Sequence, residues 1–276
     1  MTLTDLRPSP IAGTWYEANP KKLASQIDEW LEKAQFSNVG GQALGVIAPH
    51  AGYRYSGFVA AHAFKILQGL TPAYVAVISP FHHVSPYPLL TTSHQAYATP
   101  LGNIEVDHFL LEELQKRLDI RFVKISNDKE HSLEIELPFL QRALKNDFKL
   151  LPIMIRAQEP DISKKLGLAL AEVFENKQTL FVASTDLSHF YEQKIANQLD
   201  EEMLKRFESF NPESIFEAER TGKGFACGHA AVAATLWAAQ KLGANKVQRL
   251  SYATSGDVTK EYSSVVGYGA AAILKI

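Results

Sequence analysis

The stretch Tyr74-Val75-Ala76-Val77-Ile78-Ser79-Pro80-Phe81-His82-His83 decides the fold class. Its apolar residues run on without alternation and stop at a proline. A strand with one wet face alternates apolar and polar residues, whereas a strand covered on both faces reads as a continuous apolar run. Leu44-Gly45-Val46-Ile47-Ala48 and Leu180-Phe181-Val182-Ala183 have the same look. The pattern predicts buried strands over residues 44–48, 74–79, 150–155 and 179–184, and closing strands over 247–253 and 263–273. Segments of helical period lie between them. The first covers 20–35, with Asn19 as N-cap and Leu23, Ile27, Trp30 and Leu31 on one face. Others cover 57–67, then 107–118 capped by Asp107, and 133–144, where Pro138 is tolerated only in the first turn or at a kink. The last three cover 161–176, 196–208 and the Ala-rich 228–242. This alternation predicts an α/β fold with helices on both faces of a central sheet. Ligands of such sheets sit at the carboxyl ends of the strands.

The chain has 276 residues, with 28 basic and 30 acidic side chains and a formal net charge of −2. That balance gives no electrostatic attraction to nucleic acid or an acidic membrane surface, so neither is expected as a partner. The single cysteine, Cys227, rules out an intramolecular disulfide and a disulfide-stapled scaffold. No repeat, low-complexity tract or long linker divides the sequence, and the reading is one domain over 1–276. Neither a basic segment followed by an apolar core nor a run of about 20 lipid-soluble residues is visible. A soluble, cytoplasmic protein is expected.

Four segments carry polar groups where chemistry is expected: Ala48-Pro49-His50-Ala51-Gly52-Tyr53, Ser79-Pro80-Phe81-His82-His83, Ser184-Thr185-Asp186-Leu187-Ser188-His189-Phe190 and Phe225-Ala226-Cys227-Gly228-His229. Neutral imidazole and thiolate are ligands for borderline transition metals. His50, His82 and Cys227 offer such donors from three distant segments, as catalytic metal centres do. Three protein donors leave positions open for water, substrate or dioxygen. Asp186 and His189, three residues apart, share a face if they lie on one helical turn. There His189 serves as general acid–base and Asp186 orients its ring or ligates the metal. Cys227 stands at a helix N-terminus in this reading, where the dipole favours a thiolate. Plainer readings stand beside these. A lone cysteine among alanines is commonly a small buried hydrophobe. His62, His94 and His108 read as structural or solvent-facing, and His229 as solvent-facing on a first helical turn. Tyr53 and Tyr55 fit a pocket wall or the core. Glu130-His131-Ser132 fits either a helix entry or a wall of the site, and the sequence leaves open which of His82 and His83 turns inward.

The ordered set of motifs resembles the Memo (mediator of cell motility) family, known in microbes as protein B of the AmmeMemoRadiSam system. The matching residues are Ala12-Gly13-Thr14-Trp15-Tyr16, the His50 segment running on to Tyr55-Ser56-Gly57, Pro80-Phe81-His82-His83, Glu130-His131-Ser132-Leu133-Glu134, Ser184 to His189, and Cys227-Gly228. The resemblance covers nearly the whole chain. It implies a three-layer α/β/α sandwich around a mixed, mostly parallel sheet, similar to class III extradiol dioxygenases. It also implies His50, His82 and Cys227 as ligands of iron (Fe2+), with copper as the alternative. Asp186 and His189 would flank the pocket, with His131 as a further catalytic-site residue. Radical S-adenosylmethionine and AMMECR-type proteins are the partners it implies. Extradiol dioxygenases complete their iron site with a carboxylate, whereas the third donor here is Cys227, a softer ligand that shifts preference toward copper. Phe81, where some relatives carry a small polar residue, is expected to narrow the pocket mouth.

The leading expectation is a metal-dependent redox protein, a non-haem, dioxygenase-like enzyme acting on a small molecule. The alternatives are a peptide- or partner-binding module in the same pocket, metal handling without turnover, and a cysteine hydrolase with His189 or His229 beside Cys227.

Overall fold

Why the strand ends converge is visible in a computed structural model, which describes residues 4–36 and 39–276. The chain opens with β1 (Leu6–Arg7) and α1 (Pro20–Lys33), whose first N–H groups donate to the Asn19 side chain. Next come β2 (Gln42–Ala48), α2 (Tyr53–Lys65) and β3 (Tyr74–Pro80). Three short strands follow, β4 (Leu89–Thr92), β5 (Ala96–Thr99) and β6 (Gly102–Glu105). After them lie α3 (His108–Arg117), capped by the Asp107 carboxylate, and β7 (Phe122–Ile125). The predicted helix 133–144 divides into a 3-10 turn, Glu134–Glu136, and α4 (Leu137–Ala143). Pro138 sits in the first turn of α4, where its missing N–H costs no hydrogen bond. The chain continues through β8 (Lys149–Ile155), α5 (Pro160–Phe174), β9 (Thr179–Ser184) and β10 (His189–Tyr191). It closes with α6 (Gln193–Glu208), α7 (Pro212–Arg220), α8 (His229–Lys241), β11 (Lys246–Thr254), α9 (Ser255–Thr259) and β12 (Val265–Lys275).

The main sheet runs β10-β12-β2-β9-β3-β8-β4-β7, with β11 also paired to β12. Its centre, β2, β9, β3 and β8, is parallel, while β12 and β4 join it antiparallel. The sheet is therefore mixed, with a parallel heart. Side chains alternate between its faces. Val46 and Ala48 belong to the larger core with Leu23, Ala60, Phe64 and Phe139. Ile47, Ala183 and Ile273 instead pack with Phe207, Val232 and Leu236 of α6 and α8. That two-sided burial explains the continuous apolar runs and makes the fold an α/β sandwich. A separate three-stranded sheet, β1-β5-β6, lies beside it.

Register does the positioning. Ala48 lies opposite Ser184, and Ile78 opposite Ala183, so β2, β9 and β3 end level with one another. Whatever follows these strands emerges at one edge of the sheet.

The segment between β7 and the 3-10 turn is brought to that edge by Arg7, which is 1% exposed. Its guanidinium donates to Asp128 (Nε–Oδ2 2.9 Å, Nη2–Oδ1 2.8 Å), to Glu134 Oε2 (2.5 Å) and to the Glu130 carbonyl (2.8 Å). It also lies over the Tyr97 ring, 4.7 Å from the centroid. Removing one partner of a buried ion pair strands the other charges. Arg7→Met is therefore expected to lower the unfolding free energy by about 3–5 kcal/mol in urea melts. A loss under about 1 kcal/mol, the scale of an exposed pair, would show that the loop is held by other means.

Candidate metal centre

His50 follows β2 and is 2% exposed. Its backbone N–H donates to Asp186 Oδ1 (2.8 Å), and its Nδ1 lies 2.9 Å from Ser184 Oγ. His82 follows β3, with its side chain 34% exposed, and it, not the exposed His83, turns toward His50. Glu130 fixes it twice, by Oε2 on its backbone N–H (2.6 Å) and by Oε1 at 2.9 Å from Nδ1. The same Oε1 accepts the backbone N–H groups of His131 and Ser132, each at 3.0 Å, and lies 3.3 Å from His131 Nδ1. The His82 and His131 rings stack at 4.8 Å between centroids, and the Trp15 ring lies against His131 at 4.1 Å. One ligand atom from each of His50, His82 and His131 falls within 4.8 Å of the others. The Nδ1 atoms of His50 and His82 are turned to oxygen partners, which leaves their Nε2 atoms as the candidate donors.

Electrostatics suit a cation. Burial first, then the neighbouring His82 and His131 rings, push the His50 imidazolium well below its ordinary range. Burial pushes His131 down to about 4, against the pull of Glu130. Both rings are neutral at pH 7 and able to ligate. For Glu130, burial works upward, but the hydrogen bonds from the His82 ring and from the backbone of Ser132 and His82 hold its carboxyl well below the usual range. An ionised carboxylate behind a ligating imidazole orients the ring and raises its basicity.

Cys227 reaches the site from the loop before α8. Its Sγ lies 3.1 Å from His50 Nε2 and accepts the Asp186 N–H at 3.3 Å. Gly228 lets the two segments touch, since a Cβ there would sit 2.2 Å from the Ser184 carbonyl oxygen. The structure thus brings His50, His82 and His131 together as mutual neighbours, with Cys227 joined through His50. The helix-dipole expectation for Cys227 is corrected. The residue precedes the cap of α8, and burial together with the nearby Asp186 pushes its thiol up, so it is a neutral thiol without a cation.

Asp186 and His189 do not share a helical turn. The chain after β9 is tied to β12, with the Leu187 N–H donating to the Gly267 carbonyl, and His189 opens β10. Asp186 turns its carboxyl onto the backbone N–H groups of His50 and Ala51. His189 binds the Leu187 carbonyl by Nδ1 (2.8 Å) and lines a cleft of about 350 Å³ with Gln158, Tyr191, Cys227 and His229. His229 is buried rather than solvent-facing, its Nδ1 3.0 Å from the Ala226 carbonyl oxygen. Tyr53 is buried and donates to the Ile135 carbonyl (2.9 Å), while Tyr55 is exposed. Phe81 is also buried, with its ring against His83. His94 and His108 are tied to Asp5 and to the His94 carbonyl, away from the centre.

The Memo-like protein family matches residues 7–272. The chain belongs to the Memo family. A MEMO1 family protein of Methanococcus vannielii is 38% identical over 258 residues, covering 91% of this chain and 87% of its own. MEMO1 family proteins of Nitrosopumilus maritimus and Methanosarcina mazei are 33% and 31% identical, each covering 96% of this chain and 98% of its own. Among the described residues of this Memo chain, no helix is long and apolar enough to cross a membrane.

Asp186 gives the Memo site a measurable pH signature. Burial raises its carboxyl from 3.8 to about 7, partly offset by the N–H groups of His50 and Ala51. A carboxyl raised in the fold stabilises fully below its unfolded pKa and loses that contribution as pH rises through the folded one. Wild type should therefore lose stability relative to Asp186→Asn between about pH 4 and 7, by at most about 1.4 kcal/mol per pH unit, and run parallel above. Urea melts of both proteins across that range check it. Parallel curves throughout would show an ordinary, ionised Asp186.

Proposed function

We propose that this Memo-family chain binds one divalent transition-metal ion through His50, His82 and His131, and that the loaded protein is a redox enzyme of the non-haem, dioxygenase-like kind acting on a small molecule. The carrying observation is the meeting of three imidazoles from three strand-end segments, with ligand atoms within 4.8 Å of one another. The donor set fits such an ion. Imidazole suits iron, copper, zinc and nickel, whereas the hard cations magnesium and calcium call for oxygen ligands. Three protein donors also leave coordination positions free. Ferrous iron is the reading we favour and copper the alternative, because the Cys227 sulfur, 3.1 Å from His50 Nε2, is within reach as a softer fourth donor.

When bound, such an ion supplies one-electron chemistry. The chain's own residues hold and shape the site around it. Glu130 fixes His82 and His131, and Asp186 fixes the backbone at His50. The partly exposed His82 side leaves an approach for a small molecule. His189 is kept neutral by burial and has Nδ1 occupied, which frees Nε2 to take or give a proton in the adjoining cleft.

Elemental analysis after oxygen-free purification and Fe2+ loading tests the reading. Wild type should retain about one ion per chain, and His50→Ala and His131→Ala should lose it, because two remaining protein donors hold an ion far less tightly than three. Cys227→Ser should keep it. Loss in Cys227→Ser with retention in His131→Ala would instead mark His50, His82 and Cys227 as the ligands. Equal, negligible metal in every protein with Fe2+ and with copper would sink the metal reading.

A further inference from the structure

Glu136, at the end of the 3-10 turn, is 1% exposed, and its Oε2 has no hydrogen-bond partner among the described residues. Its Oε1 lies 2.7 Å from Ser184 Oγ. No cation accompanies it among the described residues: the titratable groups that face it are Asp186 and Tyr53, the latter donating to the Ile135 carbonyl. An ionised carboxylate with one hydrogen bond and no countercharge is an expensive thing to bury.

The Ser184 hydroxyl decides the matter by counting protons. Its oxygen has three close polar neighbours, the Ser132 carbonyl oxygen at 2.7 Å, Glu136 Oε1 at 2.7 Å and His50 Nδ1 at 2.9 Å. A hydroxyl has one proton to give and two lone pairs to accept with. The Ser132 carbonyl can only accept, so the Ser184 proton goes there. Both remaining neighbours must then donate to Ser184 Oγ. For Glu136 this requires a proton on Oε1. For His50 it requires Nδ1–H, which leaves Nε2 a bare lone pair. Any other assignment presses two acceptors together at 2.7–2.9 Å. The unpartnered Oε2 becomes the carbonyl oxygen of a neutral acid, a far cheaper atom to leave alone than half of a carboxylate.

We infer that Glu136 is a buried carboxylic acid that, through the Ser184 hydroxyl, holds His50 as the Nδ1–H tautomer, and so is the positioning residue for the donor nitrogen at Nε2. Burial pushes its carboxyl well above the ordinary range, in agreement with the hydrogen-bond geometry. In the metal-free protein the same arrangement makes Cys227 the donor in its contact with His50, the S–H facing the bare Nε2. The proton assignment stands on the metal-free chain. Its consequence for ligation rests on the metal function proposed above.

Nuclear magnetic resonance of the metal-free wild type at pH 7 tests it without a variant. The carboxyl 13C of Glu136, assigned through its own side chain, is expected at the shift of a protonated acid, and the His50 15N shifts at those of Nδ1–H with unprotonated Nε2. A carboxylate shift for Glu136, or an Nε2–H tautomer for His50, overturns the inference. Two variants read the positioning role with Zn2+ as a redox-inert probe. Glu136→Gln retains an N–H donor toward Ser184 and should keep the tautomer and a Zn2+ affinity within about threefold of wild type, whereas Glu136→Leu, with no donor, should lose the tautomer preference and about tenfold or more in affinity. Loss of the tautomer in Glu136→Gln counts against the role. If Glu136→Leu does not fold, the wild-type spectra still decide. Should wild type show the expected spectra yet bind no Zn2+, the metal function fails while the proton assignment holds.

Discussion

One buried carboxylate holds the candidate centre in shape. Glu130 accepts four hydrogen bonds, from the N–H groups of His82, His131 and Ser132 and from the His82 ring. These contacts join the segment that leaves β3 to the segment that precedes the 3-10 turn, 48 residues apart for the His82–Glu130 contact. Without them the two rings have no common reference, since each stands on irregular backbone beyond a strand end. A carboxylate so placed does two jobs. It satisfies backbone donors that would otherwise be buried unpaired, and it aims two imidazoles at one point.

Behind Glu130 stands Arg7, and the pair explains why so much charge is buried in a chain with little to spare. Burying ions is costly, and the attraction between them offsets the cost only with close, multiple hydrogen bonds. The Arg7 fork meets that condition, binding Asp128 twice, Glu134 once and the Glu130 carbonyl. Glu134 in turn accepts from Tyr16, of the Trp15-Tyr16 segment. Trp15 closes over His131, and its carbonyl accepts the first N–H of α2, just after His50. The N-terminal segment is thus a strap across the back of the centre.

The parts of this architecture that were legible in the sequence are those governed by repeating patterns. Continuous apolar runs marked β2, β3, β8 and β9, since burial on both faces leaves no polar alternation, and strand-end histidines pointed to the edge where the three imidazoles meet. Short strands such as β4 to β7 left no such mark, because four residues are too few to establish a period. Among the site residues, His50 and His82 could be read from their place after strands. His131 could not be separated from a helix entry, because its role depends on Glu130, whose own role depends on Arg7 more than a hundred positions away. The Asp186–His189 spacing misleads for a physical reason. Spacing of three suggests one helical face only where the backbone is helical, and here pairing with β12 claims it instead. His229 was misjudged similarly: its helix position looked exposed, but α7 packs there, with Phe216 edge-on to the ring at 5.2 Å.

Charge accounting gives the centre its chemical character. Imidazoles ligate without charge, so three of them would leave a bound divalent ion with its full charge, unlike a ligand set completed by a carboxylate. Beyond Glu130, ionised behind the His82 and His131 rings, the groups able to compensate are Asp186, raised to about 7, and the Cys227 thiol, pushed up by burial. Both are raised first by burial, which penalises their charged forms. A cation reverses that logic, stabilising carboxylate and thiolate alike. Glu136 is set apart: its hydrogen-bond pattern needs the proton to stay, because removing it would leave Ser184 one donor short. The centre therefore separates two kinds of buried acid, one pair able to answer an incoming positive charge and one member locked into the scaffold that aims His50. That division follows from contact: Asp186 and Cys227 touch the backbone and the ring of His50, whereas Glu136 meets a hydroxyl already committed elsewhere.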